Sequence, residues 1–258
     1  MSTKKEIFII AIIITVVTIG GTFFLFDSKA YAPEIVMKDN TPIPPLKKEI
    51  TPLYSITKDF KIVPIDEKGD KKIVLLTIDD GPGPQTIPMI KILEDNNVNV
   101  IFFVNGDREK YFPGIIKKEY EKNFVIGNHT WNHINLKKEV NEEVIRKEID
   151  KTNKLIKNMI GEDPVFFRPP YGASSQYVRD YVKEKKMIFM NWTGSAKDWE
   201  YEARDENVFV SNVVNDLENG SIILIHEHPW SLNALPLLIK SIKEKGYTFA
   251  DPKSIIKE

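Results

Sequence analysis

The stretch Ile73-Val74-Leu75-Leu76-Thr77-Ile78-Asp79-Asp80-Gly81-Pro82 decides the fold. From Ile73 to Ile78 it is an almost unbroken apolar run, which suits a strand covered on both faces, as in a parallel sheet flanked by helices. Gly81-Pro82 then stops the strand. Between the run and the stop sit two adjacent carboxylates. Neighbouring residues of a strand point to opposite sides, so Asp79 and Asp80 can take different jobs, one binding a cation and the other staying free as a base. Taken alone, the same residues also describe a polar turn after a core strand.

Working outward, short apolar runs alternate with helical patterns. Strands are expected at 73–78, 100–104, 124–126, 165–167, 187–190, 222–225 and 247–249. Helices are expected near 86–96, 110–121, 139–159, 174–185, 206–218 and 232–245. The third helix has the clearest apolar face, with Val140, Val144, Ile145, Ile149, Leu155 and Ile156. This alternation implies an α/β fold with a parallel sheet, and about seven strands favour a distorted, partly open (β/α) barrel.

The chemically able side chains gather at the ends of these strands. Asp79 and Asp80 follow the first, His129 and His133 the third, Arg168 the fourth, Asp198 the fifth and His226 the sixth. In a β/α barrel the C-terminal strand ends converge on one face, where active sites form. In His129-Thr130-Trp131-Asn132-His133 the i, i+4 spacing would put both imidazoles on one side of a helical turn. Two imidazoles and one carboxylate suit a zinc-like ion, and Asp80 is the natural third ligand. Three ligands leave open positions, as at a catalytic metal. Two histidines close together on a surface would read the same way on their own. In Arg168-Pro169-Pro170-Tyr171-Gly172 the prolines and glycine fix a backbone that can aim the guanidinium inward and expose an amide; an arginine beside a carboxylate keeps it ionised. His226 emerges from a buried strand and is either structural or, beside a metal, a general acid.

Together these segments resemble the polysaccharide deacetylase family, the NodB-homology domain. The resemblance rests on Thr77 to Pro82, His129 to His133, Arg168 to Gly172, Asp198-Trp199 and Leu224-Ile225-His226, in the family order, over roughly residues 71–250. It implies a hydrolase of linear amide C–N bonds that removes N-acetyl groups from GlcNAc-type glycans with one divalent metal ion, zinc first, with cobalt or nickel as alternatives. It also implies roles. Asp79 would be the general base, and Asp80, His129 and His133 the metal ligands. Arg168 would hold Asp79, and the Tyr171 amide would help hold the oxyanion. His226 would be the general acid, tuned by Asp198. Trp199 and Leu224 would flank the acetyl methyl. Two positions depart from the family pattern: Ile78 stands where Phe is frequent, and Ser195 where an extra acid is frequent. The rival readings are an O-acetyl esterase on a glycan and an inactive glycan-binding homologue.

The rest of the chain sets location. It has 258 residues, a net charge of −1 and no cysteine. Disulfides and thiolate chemistry are therefore excluded, and no strong field favours nucleic acid as a partner. Residues 1–6 are expected in the cytoplasm. Residues 7–26 carry no charge and follow Lys4 and Lys5, so they read as a membrane span with the remainder outside. The alternative is a signal peptide cleaved near Ala30, giving a secreted protein. Residues 27–70 hold six of the sixteen prolines and read as a linker, within which Leu53 to Ile65 could pack on the domain edge. Residues 71–258 would be the deacetylase domain, a monomer acting on cell-wall polysaccharide, with peptidoglycan the nearest substrate.

Overall fold

The computed structural model describes residues 53–256; the expected membrane span and residues 27–52 of the expected linker lie outside the described residues. Two short strands open this part, β1 (Tyr54–Ile56) and β2 (Ile62–Pro64), paired antiparallel. They lie on the domain, as Leu53 to Ile65 was expected to do. Ile62 is buried, and its amide donates to the Gly220 carbonyl at 2.9 Å. Gly220 has φ +80°, and a Cβ there would sit 2.2 Å from the Ile62 carbonyl oxygen, so the approach needs glycine.

The order then runs β3 (Ile73–Gly81), α1 (Thr86–Asn96), β4 (Val100–Val104), α2 (Ile115–Glu121), β5 (Val125–Asn128), α3 (Glu142–Ile160), β6 (Phe166–Phe167), α4 (Gln176–Glu184), β7 (Ile188–Phe189), β8 (Gly194–Ser195), α5 (Glu206–Val214), β9 (Ser221–His226), α6 (Pro229–Glu244) and β10 (Thr248–Phe249). The strands are parallel in the order β7-β6-β5-β4-β3-β9-β8, and β10 pairs with the start of β3.

That order forces the sheet to curl. β7 and β8 occupy opposite ends of the path, yet Phe189 and Gly194 are joined through residues 190–193. Such a segment spans at most about 18 Å at ~3.6 Å per residue, while the outer strands of a flat seven-strand sheet would be about 29 Å apart. The sheet is a half-open barrel. Alternate residues of β3 divide between two cores: Ile73 and Leu75 face inward with Ile101, Phe103, Phe166 and Ile222, while Val74, Leu76 and Ile78 face the helices.

Several element bounds differ from the sequence expectation for local reasons. Val140, expected on the apolar face of the third helix, is 91% exposed. That helix starts at Glu142, because Asn141 takes an extended backbone and its side chain caps Glu143 and Val144. The helix expected from 110 starts at Ile115, after Pro113 and a left-handed Gly114. Asp198 does not follow 187–190 directly; β8 intervenes.

Candidate active site

Strand parity aims the site. On β3 the inward series 73, 75 continues through Thr77 to Asp79. On β9, Ile222 faces inward, so Leu224 and His226 do too. On β6, Phe166 faces inward and Arg168, one step past the strand, follows it. A cavity of about 540 Å³ opens at this end of the barrel. Asp79, Asp80, His129, His133, Tyr171, Trp199, Leu224 and His226 all line it. Arg168 and Asp198 lie behind, each fully buried.

Asp79 and Asp80 do diverge. Asp79 is buried and accepts from Arg168 Nη1 at 2.7 Å. Burial pushes its carboxyl above the ordinary value, and Arg168 opposes the shift without cancelling it. The guanidinium is fixed by Thr77 Oγ1 at 2.7 Å and the Asn191 carbonyl at 3.3 Å, and it stacks 4.3 Å from the Phe103 ring centroid. Asp80 leaves the strand at φ +67°.

His129 and His133 meet Asp80 without a helical turn. Thr130 (φ +69°) and His133 (φ +56°) are left-handed, so the segment doubles back as a loop. Glu148 on α3 pins that loop by accepting from the Asn132 amide at 2.7 Å and from Asn132 Nδ2 at 2.8 Å. The expectation of a helical turn fails because only tertiary partners reveal this anchoring. His129 Nδ1 lies 2.7 Å from the Arg168 carbonyl, which can only accept; Nδ1 therefore carries the proton and Nε2 keeps its lone pair. Burial lowers the His129 pKa to about 3, against the pull of Asp80. Its Nε2 is 3.5 Å from Asp80 Oδ1, and His133 Nε2 is 3.3 Å from the same oxygen. Asp80 Oδ1 is buried without a hydrogen-bond partner, and one ligand atom from each of the three residues lies within 4.8 Å of the others. Two imidazoles and an unpartnered carboxylate oxygen fit a divalent cation with open positions.

A second cluster is built around Asp198. It accepts from His226 Nδ1 at 2.7 Å, from the His226 amide at 2.6 Å and from Ser231 Oγ at 2.8 Å, while Trp230 Nε1 donates to its carbonyl at 2.9 Å. Burial lowers the His226 pKa, but the hydrogen bond and charge of Asp198, with Asp79 and Asp80, outweigh it and raise the value to about 9. Ser195, at the position of the missing family acid, accepts from the Lys197 amide instead. Trp199 meets His226 edge-on at 5.8 Å. Tyr171 has φ +60°, and its exposed ring packs edge-on against His133 at 4.7 Å.

Sequence reading passed over three contributors. Asn105 joins two strand ends, donating from its amide to the Gly81 carbonyl and from Nδ2 to the His129 carbonyl. Trp192 and His228 also line the cavity. Only His228, two residues after His226, left a readable signal.

Residues 66–189 match the family described as polysaccharide deacetylase. The chain is also 30% identical over 255 residues to a peptidoglycan-N-acetylglucosamine deacetylase of Bacillus cereus, covering 95% of this chain and 90% of that protein. This chain belongs to the polysaccharide deacetylase family. That makes it a member of a hydrolase family, as its strand-end residues led us to expect. Among solved polysaccharide deacetylase structures, the Bc1960 peptidoglycan N-acetylglucosamine deacetylase superimposes with a TM-score of 0.67 at 34% identity, covering 72% of this chain and 88% of the other. A pseudoenzyme of the same family from Bacillus anthracis also reaches 0.67, at 28% identity over 71% of this chain and 65% of the other. Fold alone therefore does not separate active from inactive members, and the site residues must.

Proposed function

We propose that this deacetylase-family chain is a metal-dependent enzyme that removes N-acetyl groups from GlcNAc residues of peptidoglycan and releases acetate. The observation that carries the reading is one cavity walled by a complete set of groups: a buried carboxylate, an Asp-His-His triad within ligating distance and an imidazole bonded to a buried carboxylate. That completeness favours an active enzyme over a glycan-binding pseudoenzyme.

A divalent ion held by Asp80, His129 and His133, zinc being our first choice, would polarise the amide carbonyl and acidify a water. Asp79 takes a proton from the attacking water; its raised pKa makes it a better base than an ordinary carboxylate. Arg168 keeps that carboxylate aimed into the cavity. The Tyr171 amide serves as an oxyanion donor. Trp199 and Leu224 enclose the acetyl methyl. His226, protonated at neutral pH through Asp198, gives its proton to the sugar nitrogen as the C–N bond breaks. The new C–O bond makes acetate, and the sugar keeps a free amine.

The peptidoglycan assignment is supported by the named activity of the relatives and by the apolar run at residues 7–26, which would hold the enzyme outside the membrane. Among the described residues no helix is long and apolar enough to cross a membrane, so the anchor would have to be that N-terminal run. With Leu53 to Ile65 on the domain, residues 27–52 remain as the tether. At ~3.1 Å per residue where proline-rich, it would reach on the order of 80 Å. A native chain beginning at Tyr31 in its mass spectrum would replace the anchor with a cleaved signal peptide. Acetate release from purified peptidoglycan, set against chitin oligomers and O-acetylated glycan, tests the substrate. Release from the O-acetylated polymer alone would make the protein an esterase.

A further inference from the structure

Glu227 follows His226 directly, yet no step above uses it. Its carboxyl is buried but does not line the substrate cavity. It turns toward the loop between β3 and α1, the loop that leaves Asp79 and Asp80. Oε2 lies 2.5 Å from the hydroxyl of Thr86, the first residue of α1. That hydroxyl also bonds Gly83, accepting from its amide at 2.8 Å and lying 3.0 Å from its carbonyl.

The two glycines of the loop are cut to fit this carboxyl. A Cβ on Gly81 would stand 2.2 Å from Glu227 Oε1, and one on Gly83 2.9 Å from Oε2. A side chain at either place would push the Glu227 carboxyl out of its present seat. From the other side, Arg108 Nε donates to the Pro82 carbonyl at 2.8 Å, and the Asn105 amide donates to the Gly81 carbonyl at 2.9 Å. Residues 81–83 are thus held by Asn105 and Arg108, which follow β4, and by Glu227. Asp80, at φ +67°, is the residue whose backbone direction this loop fixes.

We propose that Glu227 is a positioning residue: it fastens the strand end bearing His226 to the loop that follows Asp79 and Asp80, and so sets the Asp80 carboxylate for the cation. The inference rests on the deacetylase reading for its catalytic consequence but not for its structural one. What the loop requires is a planar, carboxyl-shaped group bonded to Thr86, not a charge. A glutamine would serve, since its amide can accept from that hydroxyl or donate to it.

The test uses full-length wild-type protein with Glu227→Ala and Glu227→Gln, stripped of metal and titrated with zinc by calorimetry, followed by kinetics on peptidoglycan. Glu227→Ala should bind zinc about 10–100-fold more weakly, as removal of a group behind a metal ligand does. With zinc saturating, its kcat should still be lowered while KM for the glycan stays within about twofold, because Glu227 does not touch the substrate cavity. Glu227→Gln should restore both zinc affinity and kcat. A residue that merely supported the fold would lower Tm and leave zinc affinity at the wild-type value. Wild-type zinc affinity in Glu227→Ala, or a Glu227→Gln variant as defective as Glu227→Ala, would overturn the proposal. A zinc defect in Glu227→Ala, rescued by glutamine, in a protein that deacetylates no glycan would leave the positioning role standing and remove the deacetylase reading instead.

Discussion

His129 and His226 line one cavity, and their protonation is opposite. Both are largely buried, and burial lowers the pKa of both. His129 settles at about 3 and His226 at about 9. The difference lies in what each Nδ1 meets. For His129 it is the Arg168 carbonyl, which fixes the tautomer without supplying a full charge, and the Arg168 guanidinium adds opposing positive charge. For His226 it is the Asp198 carboxylate, whose charge holds the proton in place. One wall is thereby ready for a cation and the other for proton donation. Under the roles proposed for the two histidines, the partner of the rear nitrogen is what separates ligand from acid, since the residue type is the same.

The contrast can be broken most severely on the ligand wall. His129→Ala should abolish metal binding and with it deacetylation, while circular dichroism shows an intact fold, since the strands are held by the apolar cores and not by the triad. Asp79→Asn comes next: it should bind metal as wild type but lose about 10²–10⁴-fold in kcat, the usual cost of a missing general base. If Asp79→Asn strips the metal and Asp80→Asn does not, the two carboxylates have exchanged roles. Asp198→Asn sharpens the comparison on the acid wall. In the wild type, kcat/KM should fall as pH rises through about 9, where His226 gives up its proton. Without the Asp198 charge, burial lowers the His226 pKa, so this alkaline limb should move toward lower pH; an unmoved limb would detach Asp198 from the acid. The smallest effect is expected for Trp199→Ala, which removes only an exposed wall. KM should rise by roughly tenfold or less with kcat nearly unchanged.

Much of this site could be read from sequence because strand parity is a local rule. The apolar run before Asp79 specified a strand, and the strand set Asp79 and Asp80 on opposite sides; which of them serves as base, and the roles of Leu224 and His226, came from the family resemblance. What sequence hid lay in loops and in partners distant along the chain. The 129–133 segment kept its two histidines together through left-handed residues pinned by Glu148, where the i, i+4 spacing suggested a helix. β8 spans only Gly194–Ser195, too short for any periodicity, so Asp198 was assigned to the wrong strand. Val140 looked like part of a helix face until Asn141 was seen to cap the helix after it. Glu227 gave no signal, because an acid beside a histidine looks like surface until Gly81, Gly83 and Thr86 are seen around it.

The central claim is that the cation-ready wall and the proton-donating wall act together on an N-acetyl group. Metal-stripped protein should be given purified peptidoglycan and titrated with zinc while acetate is measured. The account predicts no acetate without metal and a rise that saturates at one zinc per chain. Equal acetate release from verified metal-free protein, or none at any zinc level, would contradict it.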